Sequence, residues 1–288
     1  MVNHVRKSVQ ELDEDSWLIG DQFILRRQRS PPAKYLWEDN GFWYTLSDDI
    51  SSPLPPATPL SSDSHIRQVH DAGDASAVWS FGGVFLKVKL CPKAEEAATK
   101  EHTTLRRLAE KRLSFAIPEV LHHVQADDRS YLLISRVPGQ VLADAWRTMK
   151  EDEKEHYVQR IFEIFQELRQ LTSDSITGID GAQFPDGWLD ICRGRAKEYS
   201  PEHLKENCVA LGMDCSTFFF WHSDLGPHNV IVNSGTKGAI GIIDWEMAGF
   251  VPLTGSELNL ASLGPWISHG RGPWGPPFFE RMEGARRT

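Results

Sequence analysis

Phe218 to Glu246 reads FFFWHSDLGPHNVIVNSGTKGAIGIIDWE, and how this run is parsed decides the fold. An apolar run, Phe218–Trp221, delivers the chain to a polar loop, His222–Asn229. Two β-rich segments follow, Val230–Val232 and Ala239–Ile243, on either side of Ser234–Gly238, which has the composition of a hairpin turn. Symmetric pairing about that turn sets Val232 opposite Gly241, Val230 opposite Ile243 and Asn229 opposite Asp244. Directly opposed side chains have Cβ atoms about 4.5–5.5 Å apart, so an amide oxygen and a carboxylate there could share a hard cation such as Mg²⁺. Asp224 stands five residues before Asn229, at the far end of the same loop. One Asp for a nucleophile and an Asn/Asp pair for metal is a layout for phosphoryl transfer.

The whole chain permits such a site. Its 288 residues are enough for one large domain or two lobes, and 40% hydrophobic with 25% charged residues is ordinary for a globular protein. A net charge of -9 argues against a general nucleic-acid surface. Cys91, Cys192, Cys208 and Cys215 lack CxxC spacing, and no charged-then-apolar leader precedes them; they read as reduced thiols in a cytoplasmic protein. No apolar run approaches the roughly 20 residues of a membrane span. Oligomeric state has no signature.

Upstream, residues 1–65 read as an extension, with a short charged helix over Val5–Asp15, a strand at Phe42–Leu46 and a Pro/Ser-rich linker over Ser51–Ser64 that suggests a boundary. Residues 66–138 then form a β-rich domain. Ile66–His70, Ala77–Phe81 and Val84–Lys89 read as strands, with Gly82-Gly83 a hairpin turn and Asp71–Ser76 the loop between the first two. Val84, Leu86 and Val88 share one face of their strand, and Phe85, Lys87 and Lys89 the other. A helix from about Ala94 to Arg112 follows, with Glu101 inside the stripe Ala98, Leu105, Leu108. A carboxylate aimed at a core is costly unless paired, and Lys87 is the nearest cation this topology offers. The other reading keeps Glu101 at the stripe's edge, in water or paired with Lys100 or Arg106. Strands at Ile117–Leu121 and Tyr131–Ile134 complete this part.

Residues 139–288 read as a mainly helical domain. Helices are expected at about Leu142–Met149 and Asp152–Leu171, the second with Tyr157, Ile161, Ile164, Phe165, Leu168 and Leu171 as its core face. Ser173–Trp188 reads as a loop, and one or two helices are expected before Cys215. Gly249–Thr288 is dense in Gly and Pro, with helical periodicity only around Leu253–Leu263.

The pattern HxDxxxxN, a hairpin and then an Asp resembles the catalytic and metal loops of the protein-kinase-like fold, in the version used by aminoglycoside phosphotransferases and choline kinases. Pro227-His228-Asn229 and Ile243-Asp244-Trp245-Glu246 are similar to the wording of fungal members. The resemblance implies an α+β, two-lobed fold with a small β-rich N-lobe and a mainly helical C-lobe. It implies transfer of the γ-phosphate of ATP to a hydroxyl of a small molecule, with Asp224 the catalytic base and Asn229 and Asp244 holding Mg²⁺. Gly73 and Ser76 would lie in the loop over the ATP phosphates, Lys87 would contact the phosphates with Glu101 holding it, and the backbone from Ile134 to Val137 would meet adenine. His222 would brace the loop rather than act as base. His222, Asp224 and His228 lack the fourth ligand of a zinc site. Trp245-Glu246 stands where protein kinases have Phe-Gly, which favours a small-molecule acceptor. Family members continue with several helices beyond the metal Asp, so the Gly/Pro-rich tail reads as truncated or divergent. That keeps a second reading, a nucleotide-binding pseudokinase or regulatory protein.

Overall fold

The computed structural model describes residues 4–50, 53–187, 189–190, 197–233 and 238–252. The chain divides into two compact units, one of residues up to Pro92 with Glu119–Arg136, the other of Lys93–Pro118 with the chain from Val137 onward.

The first unit is built from antiparallel strands. β1 (Val9–Asp13), β2 (Ser16–Ile19), β3 (Phe23–Gln28), β4 (Trp37–Asp39), β5 (Phe42–Ser47) and β6 (Thr58–Pro59) form one sheet in the order β4-β5-β3-β2-β1-β6. β7 (Arg67–Asp71), β8 (Ser76–Ser80), β9 (Val84–Leu90), β10 (Val120–Ala126) and β11 (Arg129–Ser135) form a second, in the order β10-β11-β9-β8-β7. The alternation read in β9 is observed: Val84, Leu86 and Val88 are buried, and Phe85 and Lys87 are half-buried. The buried row joins Trp17, Ile19, Phe23, Leu25, Trp79, Tyr131 and Leu133 in one hydrophobic core. Trp17 meets Phe81 edge-on at 6.0 Å, a geometry that aromatic pairs prefer. Gly82 takes φ +71 in the turn between β8 and β9, where Phe81 N–H donates to Val84 O over 2.8 Å.

Two expectations change here. The charged helix over Val5–Asp15 is instead a single 3₁₀ turn, Val5–Lys7, followed by β1. Local composition suits a helix, but Val5 and Val9 are drawn into the core and β1 is paired on both sides, by β2 and β6, so tertiary burial prevails. Within the Pro/Ser stretch, Thr58–Pro59 is an edge strand against β1, a place where a proline's missing N–H is tolerated. The sheets before and after the prolines share one core, where a boundary was expected.

In the second unit, α1 (Glu101–Ala109), α2 (Leu142–Ala145), α3 (Glu151–Leu168) and α4 (Pro201–Ala210) accompany two three-stranded antiparallel sheets. One holds β12 (Gln140–Val141), β15 (Val230–Asn233) and β16 (Ala239–Ile242); the other holds β13 (Thr172–Ser173), β14 (Phe218–Trp221) and β17 (Gly249–Pro252). Helix α3 buries Tyr157, Ile161, Ile164, Phe165 and Leu168 as its periodicity predicts, adds Val158, and ends before Leu171, which is only partly buried. Its acidic first turn suits the helix dipole, and Glu153 accepts from Lys150 N–H at 2.9 Å. Helix α4 starts on Ser200, whose Oγ accepts from His203 N–H, with Pro201 in the first turn. Helix α1 starts at Glu101 rather than near Ala94, because Thr99 N–H is committed to Gln183 O at 2.9 Å and Lys100 is extended. No helix among the described residues is long and apolar enough to cross a membrane.

Candidate active site

β14 leads into His222, which has no exposed surface. Its Nε2 lies 2.9 Å from Ile243 O, and its Nδ1 lies 3.3 Å from Asp224 N. A carbonyl needs a donor and a backbone N–H needs an acceptor, so these partners select the neutral tautomer protonated on Nε2. Both ring nitrogens are thereby committed, and His222 braces the loop between β14 and β15.

The loop closes on itself. Gly226 N–H donates to Asp224 O at 3.0 Å, Asn229 N–H donates to Gly226 O at 2.9 Å, and the Asn229 amide reaches Asp224 O at 2.8 Å and Asp224 Oδ2 at 3.2 Å. Asp224 and Asn229 are thus in direct contact. Asp224 reaches solvent, yet the protein around it strips enough hydration to raise its pKa above the usual carboxylate value. The nearby charges of Asp244 and Glu246 push in the same direction, against the hydrogen bond from Asn229.

The hairpin register differs from the symmetric one. Val230 pairs with Ile242, Ile231 with Gly241 and Val232 with Ile240, one residue from the predicted pairing. Asn229 therefore opposes Ile243, whose N–H donates to Asn229 O at 3.0 Å, and Asp244 lies beyond the pair. Burial makes the choice: Val230, Val232, Ile240 and Ile242 are all in the core, and a one-residue slip would turn one strand outward.

Past the hairpin the backbone turns sharply. Asp244 takes a left-handed conformation, φ +67 and ψ +60, and Trp245–Met247 form a 3₁₀ turn. Trp245 is fully buried, stacked on Phe115 and Phe220, with its indole N–H on Ile242 O at 2.9 Å. Its backbone N–H donates to Glu101 Oε1 at 3.2 Å. Glu101 is 8% exposed, which removes the reading that leaves it in water. The carboxylate oxygens of Glu101, Asp244 and Glu246 lie within 4.8 Å of one another.

The second unit therefore brings together Asp224 with Asn229, and Asp244 with Glu101 and Glu246. Glu246 was not among the site residues read from the sequence; its signal was an acid two places beyond Asp244 in a short run. Val137, buried in the same unit, has its Cγ1 2.4 Å from where a Cβ on Gly241 would stand, so only glycine fits there. In the first unit Lys87 sits mid-strand on β9 between Val78 and Leu132, Ile134 is buried on β11, Gly73 takes φ +68 in the loop after β7, and Ser76 opens β8. Asp186 accepts from Leu189 N–H at 3.2 Å, and Asp190 lies 3.2 Å from His203 Nε2. The expectations for the tail beyond Pro252 lie outside the described residues.

Comparison with known proteins gives this geometry a lineage. The sequence profile of the phosphotransferase enzyme family matches residues 58–254. An aminoglycoside 3'-phosphotransferase from Streptomyces ribosidificus is 23% identical over 182 residues, 59% of this chain and 67% of that protein. Among solved structures, the aminoglycoside phosphotransferase APH(3'')-Id from Streptomyces rimosus is similar with a TM-score of 0.49 and 19% identity, over 78% of this chain and 84% of the other. The streptomycin–ATP–APH(2'')-IIa ternary complex gives 0.49 and 15%, over 77% of each chain. With the profile spanning well over half of its length, the chain belongs to the phosphotransferase enzyme family.

Proposed function

We propose that this phosphotransferase moves the γ-phosphate of ATP, in the presence of Mg²⁺, to a hydroxyl of a small molecule, with Asp224 as the base. The observation that carries the reading is Asp224 anchored to Asn229 in the field of Asp244 and Glu246. A carboxylate whose proton affinity is raised by burial and by neighbouring acids is suited to take a proton from an alcohol as its oxygen attacks phosphorus.

The acidic residues fit a magnesium ion. Glu101, Asp244 and Glu246 offer only hard oxygen donors, and three carboxylates this close repel one another unless a cation or protons intervene. Asn229 and Asp244, with Glu246, would hold the ion. When bound, Mg²⁺ neutralises charge on the phosphate oxygens. Glu101, fixed by Trp245 N–H, holds the turn that presents Asp244 and Glu246. In this reading Lys87 serves the α- and β-phosphates, Gly73 and Ser76 belong to the loop over the phosphates, and the backbone at Ile134 and Val137 serves adenine. Little covalent chemistry falls to the protein, so positioning and electrostatics supply the rate.

An ATP-consumption screen with Mg²⁺ over aminoglycosides, amino alcohols and sugars tests this. The expected result is acceptor-dependent ADP release from the parent, reduced about 10³-fold in Asp224→Asn. Absence of any Mg-ATP-dependent thermal stabilisation would sink the proposal. Stabilisation without turnover on any acceptor would instead favour a pseudokinase.

A further inference from the structure

The turn Val5–Lys7 is anchored from below and charged above. Val5 is 1% exposed, and Ser8 N–H donates to Val5 O at 2.9 Å. From this anchored turn two side chains reach one loop. His4 Nδ1 lies 2.6 Å from Asp74 Oδ1, and the Arg6 guanidinium lies 3.9 Å from Asp71 Oδ1 and 4.0 Å from Asp74 Oδ1. The same Arg6 nitrogen is 3.7 Å from where a Cβ on Gly73 would stand.

That loop, Asp71–Ser76, is internally ordered. Ala72 N–H donates to Ser76 O at 2.9 Å, Leu90 N–H donates to Ala75 O at 2.8 Å, and Gly73 N–H donates to Asp71 Oδ1 at 2.8 Å. A loop that approaches phosphates through backbone N–H groups gains from small residues and loses from fixed carboxylates. Here two carboxylates stand on the loop, and one already occupies a loop amide. Left uncompensated, Asp71 and Asp74 would repel a triphosphate.

We infer that Arg6, by its charge, and His4, by its hydrogen bond to Asp74, form a positioning element of the nucleotide site that holds Asp71 and Asp74 so that the loop can accept phosphate. This rests on the reading of Asp71–Ser76 as the phosphate-covering loop. An isolated exposed ion pair changes little. Here two groups on one anchored turn converge on two carboxylates of one loop, and the quantity they tune is the field at a polyanion rather than fold stability. Neither residue touches substrate.

The test compares His4→Ala/Arg6→Ala with the parent. KM for ATP is expected to rise by about three- to tenfold at low salt, with kcat within about twofold and thermal midpoint unchanged. The difference shrinks at roughly 0.5 M salt. Arg6→Lys retains most of the parent behaviour, and adding Asp71→Asn/Asp74→Asn to the double variant restores KM. A KM unchanged in the double variant, or a rise that the two Asn substitutions fail to reverse, overturns the inference. Should the double variant unfold, Arg6→Gln with and without Asp74→Asn reads the same reversal. Amide exchange of Ala72–Ser76 without nucleotide separates the two failures. Faster exchange in the variant, beside a parent that Mg-ATP does not stabilise, refutes the nucleotide reading while the brace on the loop stands. Unchanged exchange refutes the brace.

Discussion

The candidate catalytic residues around Asp224 and Asp244 and the loop from Asp71 to Ser76 are both placed by turns, yet their side-chain ties are drawn from different parts of the chain. The first are held mostly within one stretch, Asn229 on Asp224, His222 on Ile243 and Trp245 on Ile242, with one distant tie from Trp245 N–H to Glu101. The second takes its charge partners from His4 and Arg6, about seventy residues away. Chemistry that tolerates little positional error sits where the chain can build it locally. Electrostatic tuning, which tolerates some movement, can be delegated to a distant segment.

The comparison breaks most sharply at Asp224. Asp224→Asn is expected to lower kcat about 10³-fold, measured as ADP release with the best acceptor, while the thermal midpoint holds or rises slightly. The sign follows from the raised pKa. The folded state binds this proton more tightly than the unfolded chain, so the ionised carboxylate detracts from stability above that pKa, and the amide relieves this. A variant retaining parental turnover would show that positioning elsewhere carries the rate.

A smaller effect is expected one turn away. Glu246→Gln should raise the Mg²⁺ concentration for half-maximal activity by about tenfold, read by magnesium titration at fixed ATP. No change would return the metal to Asn229 and Asp244 alone. The pH profile sharpens the same point. Activity should fall as pH drops through the raised Asp224 pKa, because the protonated form cannot accept the alcohol's proton. Asp244→Asn removes a repelling charge, so the acid limb of whatever activity remains should move to lower pH. A limb that stays in place would mean that burial alone sets it.

The smallest effect belongs to the distant-held loop. Asp71→Asn keeps a side-chain acceptor for Gly73 N–H but removes a charge, and KM for ATP should fall by about two- to threefold, measured by initial rates. A larger effect than that of Glu246→Gln would invert the ranking of the two regions.

Local pattern was legible and distant partnership was not. The α3 stripe, the alternation of β9 and the Gly82-Gly83 turn each rest on residues within a few positions of one another, and each was read correctly. The polar loop His222–Asn229 was legible for the same reason. The hairpin register was missed by one residue, because symmetry about Ser234–Gly238 carried no information about burial, whereas Val230, Val232, Ile240 and Ile242 did. Helix α1 started late because Gln183, more than eighty residues downstream, takes the Thr99 N–H. The helix expected over Val5–Asp15 fails because the strand within it, β1, exists only through its neighbours, β2 and β6.

The division of the chain has a consequence for its biosynthesis. Residues 93–118 belong to the second unit, although they interrupt the first in sequence. On a ribosome the first unit cannot finish until β10 and β11 emerge, and by then α1 has already appeared without the later turn that Glu101 holds. Phe115, which stacks on Trp245, and Ala116, which is hydrogen-bonded to Ile240 and Ile242, must wait until β16 and the turn after it have been made. Cutting the gene after Arg136 would leave that apolar segment stranded on the wrong fragment. Neither half is then a natural expression product, and split-protein reconstitution would need the 93–118 segment supplied with the downstream piece.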